Sequence, residues 1–397
     1  RYQDAPVQAL RNASRRALEN LVELALAEDV AFVLVAGDLY DGNWPDFNTG
    51  LFFVHQMARL DRRGIQVYLV RGNHDADSRL TRALPLPPNV RVLSSRRPET
   101  ITNDALQVAV HGQSFPEAAV TADLSAGYPP PVPGWLNIGL LHTCLTGRDG
   151  HADYAPCSLE GLLSKGYDYW ALGHVHAREV VHEAPWVVFP GNLQGRHARE
   201  TGSKGCELVT VDGGRVVSVQ HRPVDVIRWH RLELDLSGCA TLPAVHERIQ
   251  HALQEAIRAS DGRPAAARLI LRGRCEAHGD LLGRPEGVRE DIRAMALACH
   301  DGELWVEKIR LETAPRVDLA PWAERDDPMG ELMRLIDGIE RQPGVAADLL
   351  ESWQELLRKL PPELSESSDD FRLADPLRYR PLLGEVKGTL LSRLLDL

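Results

Sequence analysis

Residues 31–38 read AFVLVAGD and residues 65–75 read IQVYLVRGNHD. Each opens on a short, β-branched apolar run that suits a buried strand. Each then breaks at a glycine followed by side chains able to hold a cation or touch a phosphate. A helix is expected between them over residues 48–63. Another precedes the first run over residues 5–28, with Val7, Leu10, Ala17, Leu21 and Leu24 on one face. Strand, helix, strand at this spacing is a βαβ unit with parallel strands, which sets the fold class as α/β.

Further short strands are expected at residues 106–110, 137–141, 168–172, 179–182, 186–189, 207–211 and 216–220, with few helices between them. The predicted architecture is a two-sheet β-sandwich flanked by helices, occupying residues 1–222. Residues 223–314 form a small α+β module, with strands near 226–236, 268–272 and 304–312 and helices near 242–259 and 287–297. Residues 315–397 turn helical: Leu332, Leu335, Ile336 and Ile339 share one apolar stripe, as do Leu349, Leu350, Trp353 and Leu357, and Leu383, Val386, Leu390 and Leu394.

Composition narrows the function. The 397 residues carry a net charge of −11, which excludes a wholly basic nucleic-acid coat but leaves room for a local basic groove. The acidity is uneven, with 13 Lys+Arg against 21 Asp+Glu from Asp301 onward. That makes the tail a compositionally distinct segment. No apolar run approaches a membrane span, and no signal peptide is visible. Six scattered cysteines without a C-x-x-C pair read as reduced thiols of a cytoplasmic protein.

Four segments place metal-binding side chains just past predicted strand ends: Gly37-Asp38-Leu39-Tyr40-Asp41, Gly72-Asn73-His74-Asp75, Leu141-His142-Thr143 and Gly173-His174-Val175-His176. α/β proteins build their sites beyond the carboxyl ends of their strands. Taken singly, an Asp in such a place caps a turn and a His makes a structural hydrogen bond. Taken together and in this order, they supply a carboxylate able to bridge two ions, an amide oxygen and three imidazoles. Such mixed N and O donors suit Mn, Fe, Zn or Co better than Mg or Ca.

This arrangement resembles the calcineurin-like metallophosphoesterase superfamily, whose pattern reads D-x-H, G-D-x-x-D, G-N-H-[DE], a lone His and G-H-x-H. Phrases such as GDLYDG, RGNHD, ALGHVH and PGNLQGRHARETGSKG are similar to its DNA-repair exonuclease branch, the SbcD-type and YhaO-like proteins. The resemblance implies two divalent ions, with Mn²⁺ the first choice. It implies that Asp38 bridges them, that Asn73, His142 and His174 complete one site, and that His176 serves the other. His74 would stabilise or protonate the leaving oxygen, Asp75 would orient His74, and Asp41 would assist at the outer shell.

The first block, D-x-H, is not found before the first helix and is expected upstream of Arg1. Asp149-Gly150-His151 has the right letters in the wrong order and reads as a decoy. The resemblance further implies hydrolysis of DNA, a capping and DNA-binding role for residues 223–314, and a coiled-coil ATPase partner (SbcC- or YhaN-like) gripped by residues 315–397. A homodimer is also implied. Two alternatives stay open: a phosphodiesterase for a small phosphoester or nucleotide, and a non-catalytic scaffold.

Arg196, His197 and Lys204, with Arg199, form a basic loop that could hold DNA phosphates or could be a solvated hairpin. Trp44 reads as a packing residue or a base-stacking one. His111, His182, His221 and His230 read as structural.

Overall fold

The computed structural model describes residues 7–39, 48–77, 85–145, 154–299, 304–316 and 323–341. Asp41, Trp44 and the Asp149–His151 stretch lie outside the described residues, as do the two apolar stripes beyond residue 341. Two compact units divide the chain, residues 1–230 with 262–266 and residues 231–261 with 267–397.

In the first unit, helix α1 (Val7–Ala27) leads into β1 (Phe32–Val35), α2 (Asn48–Asp61) and β2 (Gln66–Leu69). β1, β2 and β3 (Val90–Val92) make a wholly parallel three-stranded sheet, in register Val33↔Val67↔Val90. The second sheet has six strands: β4 (Glu99–Asn103), β5 (Val108–Gly112), β6 (Leu136–His142), β7 (Tyr169–Gly173), β9 (Trp186–Phe189) and β8 (Glu179–Glu183), in that spatial order. Its centre, β5 to β9, is parallel, and its two edges are antiparallel. A separate hairpin pairs β10 (Gly205–Asp212) with β11 (Arg215–Pro223).

The period-two alternation of strand side chains divides this apolar content into three layers. From β2, Val67 and Leu69 face α1 and α2, where they join Val22, Phe53, Met57 and Leu60. Tyr68 and Val70 turn the other way and meet Ile138 and Leu140 of β6, Tyr169 and Ala171 of β7 and Val188 of β9. That middle layer is the face-to-face packing of the two sheets. The outer face of the second sheet, Leu141, Trp170, Leu172, Val187 and Phe189, is covered by Tyr128, Leu162 and Tyr167. The sandwich expected from the sequence is therefore present, with helices on the far side of the first sheet.

Two strands had no clear apolar signal. β3 has only three residues, and β4 is the polar ETITN. β4 is an edge strand that pairs with β5 across a tight turn, where Gln107 takes φ of +53°. The strand expected to begin at 106 starts at Val108 instead, because Leu106 belongs to this turn and is exposed.

The second unit holds most of the sheet β12 (Arg228–Asp235), β13 (Ala265–Cys275) and β14 (Leu304–Pro315), in that order. Helix α5 (Leu242–Arg258; α3 and α4 are the short helices Asn73–Asp77 and Leu159–Leu163) is capped by Thr241, whose hydroxyl accepts from the Ala244 N–H. Its buried face is Val245, Ile249, Ala252, Leu253 and Ala256. After the short α6 (His278–Gly283), α7 (Pro285–Ala298) buries Val288, Ile292 and Ala296. Among the described side chains of α8 (Pro328–Arg341), Met333 is buried, while Leu335 of the predicted stripe is 61% exposed. No helix of the described residues is long and apolar enough to cross a membrane.

Candidate metal centre

The carboxyl ends of β1 and β2 in one sheet, and of β6 and β7 in the other, come together at one edge of the sandwich. The link is a side chain. His142, the last residue of β6, is fully buried, and its Nδ1 lies 2.8 Å from the Ala36 carbonyl oxygen just beyond β1. A carbonyl only accepts, so Nδ1 carries a proton. The opposite nitrogen, Nε2, lies 2.9 Å from Asn73 Oδ1 and 3.3 Å from Asp38 Oδ2.

Two glycines make room for this. Gly173 pairs with His142 in the β6–β7 register, and a Cβ there would strike the Ala36 carbonyl and the His142 ring. A Cβ on Gly72 would strike the Asp38 carboxylate and the same ring.

Asp38, His142 and His174 present ligand atoms that all lie within 4.8 Å of one another. The His142 and His174 rings meet edge to face at 5.2 Å. Both ends of the cluster sit on strained backbone, with φ of +52° at Asp38 and +92° at His174. Such angles cost of order 1–3 kcal/mol for residues with a Cβ, and they persist where the surroundings enforce them.

Burial pushes the Asp38 carboxyl up, but the hydrogen bond and charge of His142, with the N–H and charge of His74, outweigh it and hold the group below its ordinary value. A carboxylate, an amide oxygen and two imidazoles turned on a common point make a donor set that suits a divalent ion. The separations of His142 Nε2 from Asn73 Oδ1 and Asp38 Oδ2, 2.9 and 3.3 Å, are those expected of neighbouring ligands at ~2.1 Å from a shared cation, and His174 lies within 4.8 Å of Asp38 and His142. The residues present therefore fit one metal ion of the implied pair.

Asp75 is 1% exposed, and its Oδ2 accepts from the Gly72 N–H at 3.1 Å and the Leu39 N–H at 3.2 Å. It staples the loop after β2 to the loop after β1. His74 is half-buried, and its N–H donates to Asp38 Oδ1 at 3.1 Å. The two candidate catalytic residues of this block are thus part of the fabric that holds Asp38.

His176 is not in the 4.8 Å group. Its Nδ1 lies 2.6 Å from Oε1 of Glu200, a carboxylate only 6% exposed. Glu200 Oε2 accepts from the Arg196 N–H at 2.7 Å, and His197 Nε2 stands 3.8 Å from Oε1. Burial raises the Glu200 carboxyl, yet the His176 hydrogen bond, the Arg196 N–H and the nearby charges of His197 and Arg196 hold it down at about 2. Sequence reasoning missed Glu200. It lies inside the quoted GRHARETGSKG phrase with no strand end or ligand spacing to mark it.

The basic loop divides in two. Arg196 and His197 keep side chains 39% and 45% exposed, with the Arg196 guanidinium 3.9 Å from Glu200 Oε2. Lys204 is placed differently from the expectation of an open phosphate contact. It is 7% exposed, and its ammonium donates to the His176 carbonyl at 3.2 Å. Burial pushes its pKa down, against the pull of Glu200 and Asp225. It braces the loop after β7 from within.

His111 bridges Thr100 and Asn137 inside the second sheet, and His221 pairs with Glu207. His182 meets the Pro185 carbonyl. These are structural roles. No disulfide forms among the six cysteines.

Residues 11–178 match the calcineurin-like phosphoesterase family, and residues 229–314 match the middle domain of the metallophosphoesterase YhaO. The chain is 31% identical over 347 residues to the uncharacterized metallophosphoesterase YhaO of Bacillus subtilis, covering 84% of each. It is 26% identical over 256 residues to the DNA double-strand break repair protein Mre11 of Methanopyrus kandleri, covering 57% of this chain and 54% of that one. It is 25% identical over 259 residues to one subunit of the Escherichia coli nuclease SbcCD, covering 54% of this chain and 64% of that one.

Proposed function

The chain belongs to the calcineurin-like phosphoesterases, among the YhaO-like proteins, and from this premise we propose that it is a metal-dependent nuclease acting on DNA ends. The observation that carries the reading is the convergence of Asp38, His142 and His174, with Asn73, where the two sheets meet. Divalent ions held there supply Lewis acidity toward a phosphate oxygen and a water of lowered pKa. Manganese suits the mixed donors.

The chain's own residues do the rest. Asp38 and Asn73 bring oxygen donors, and His142, His174 and His176 bring nitrogen. His74, tied by its N–H to Asp38, is assigned to the leaving oxygen, where it stabilises charge or delivers a proton. Asp75 holds both loops in place. Arg196 and His197 are assigned to phosphates flanking the reacting one. Residues 223–314 are assigned a capping and DNA-binding role, and residues 315–397 a partner-binding role toward a coiled-coil ATPase. The DNA substrate and the ATPase are supported by the relatedness to Mre11 and to the SbcCD nuclease.

The test compares linear duplex DNA with bis(p-nitrophenyl) phosphate, each in the presence of Mn²⁺. Cleavage of both, abolished by chelation, is the expected result. Cleavage of the chromogenic diester alone would replace DNA with a small phosphoester. Tight Mn²⁺ binding without cleavage of either would leave a scaffold.

A further inference from the structure

His176 is held by three tethers, and they differ in kind. Its carbonyl accepts from the Asn192 N–H and from the Lys204 ammonium, both at 3.2 Å. Those bonds fix the main chain. The third tether, Glu200, acts on the ring itself.

Glu200 is a buried group with two oxygens and two donors to satisfy. Oε1 faces His176 Nδ1 at 2.6 Å and Oε2 faces the Arg196 N–H at 2.7 Å. An ionised carboxylate only accepts, so the imidazole proton must sit on Nδ1. Nε2 is then left bare. A histidine can offer a cation only the nitrogen without a proton.

We infer that Glu200 is a positioning residue that selects the Nδ1–H tautomer of His176 and thereby keeps Nε2 available to a metal ion. The inference rests on the reading of His176 as a metal ligand and goes beyond it by naming what prepares the ring. The carboxylate is needed for its two acceptors and not for its size. Replaced by glutamine, the position keeps its length but offers one acceptor for two donors. The Arg196 N–H is main chain and cannot turn away. The amide oxygen therefore goes to it, and the amide NH₂ is left facing Nδ1. That contact demands a bare Nδ1 and drives the proton to Nε2. Aspartate keeps both acceptors on a side chain one methylene shorter.

The test uses the full chain, metal-free and labelled with ¹⁵N at histidine, and reads ring tautomers by two-bond ¹H–¹⁵N correlation above the histidine titration range. The His176 signal is assigned by its loss in His176→Gln. The expected result is Nδ1–H in the wild type, Nε2–H in Glu200→Gln and Nδ1–H again in Glu200→Asp. Titration with Mn²⁺ alone is expected to show affinity about 10–100-fold weaker for Glu200→Gln. Glu200→Asp recovers most of that loss.

A wild-type ring already in the Nε2–H form overturns the inference without any variant, so it stays testable even if Glu200→Gln fails to fold. An unchanged tautomer in Glu200→Gln overturns it too, as does equal loss in both variants, which marks a plain structural brace. A switched tautomer with unchanged Mn²⁺ affinity overturns it by removing His176 from the ligands. The nuclease reading fails separately, by absence of DNA cleavage in the wild type.

Discussion

His174 and His176 are two residues apart, yet they are held by different means. His174 stands in a frame made mostly of main chain. Gly173 runs against the Ala36 carbonyl, His142 donates to that same carbonyl, and the loops carrying Asp38 and Asn73 are stapled through N–H groups of Leu39, Gly72 and His74. His176 lies outside the 4.8 Å group, and its ring is aimed by a carboxylate 24 residues further along the chain. The first arrangement tolerates almost no change in backbone. The second depends on one side chain and can be tuned by one substitution. A site built in two ways should fail in two ways.

The frame is the place to look for the largest effect. Gly173→Ala puts a Cβ against the Ala36 carbonyl and the His142 ring, and neither can swing aside. Overpacking of this kind costs about 1–3 kcal/mol or more. In a domain of this size the thermal midpoint falls by roughly 2–4 °C for each kcal/mol. The His142–Ala36 bond is expected to break and Mn²⁺ binding and DNA cleavage to be lost together. A stable Gly173→Ala protein that still binds Mn²⁺ would show that the frame is softer than its packing implies.

Asp75→Asn probes the same frame more gently. The amide oxygen can still accept from Gly72 and Leu39, but the charge that strengthens both bonds is gone. Hydrogen bonds to charged acceptors contribute roughly twice what neutral ones do, so a stability loss of about 1–2 kcal/mol is expected in denaturant titration. Metal affinity should fall less than in Gly173→Ala, because the loops stay joined. An unchanged midpoint would mean that the staple does not bear on the frame.

The contrast also explains what could be read in advance. Asp38, Asn73, His142 and His174 are positioned by where strands end; for Asp38, Asn73 and His174 that end is visible as an apolar run broken by glycine, and for His142 as an apolar run that stops at the histidine itself. The alternating contents of β2, β6 and β7 specify the two packed sheets, so the meeting of their edges follows from the same pattern. Glu200 obeys no period. Its partner is remote in the chain, and its neighbours Arg196, His197 and Lys204 advertise a basic surface. Folding turns that surface partly inward, because Lys204 is needed at the His176 carbonyl. β3 and β4 carry little signal of their own for a related reason: a three-residue strand and a polar edge strand need neighbours, more than their own residues, to become strands.

The smallest effect separates the wall behind His176 from its ring. Arg178, two residues on, reaches Glu207 of β10 through two bonds, at 2.6 and 3.2 Å, and His221 of β11 joins the same carboxylate at 3.3 Å. Glu207 is 3% exposed at its side chain, while Arg178 is 36% exposed. Burial pushes the Glu207 carboxyl up, but the bonds from His221 and Arg178 and their charges outweigh it, so its folded pKa lies below the ordinary 4.5. A depressed carboxyl contributes stability that is fully present above the unfolded value and is lost as pH falls through the folded one. Glu207→Gln removes that contribution at every pH. The stability gap between wild type and variant should therefore be widest near neutrality, hold down to about pH 4.5 and close in more acid solution. Cleavage at neutral pH should change little, since Arg178 can turn to solvent and His176 keeps Glu200. A loss of turnover as deep as that of Glu200→Gln would show that the ring of His176 is aimed by the whole wall and not by one carboxylate.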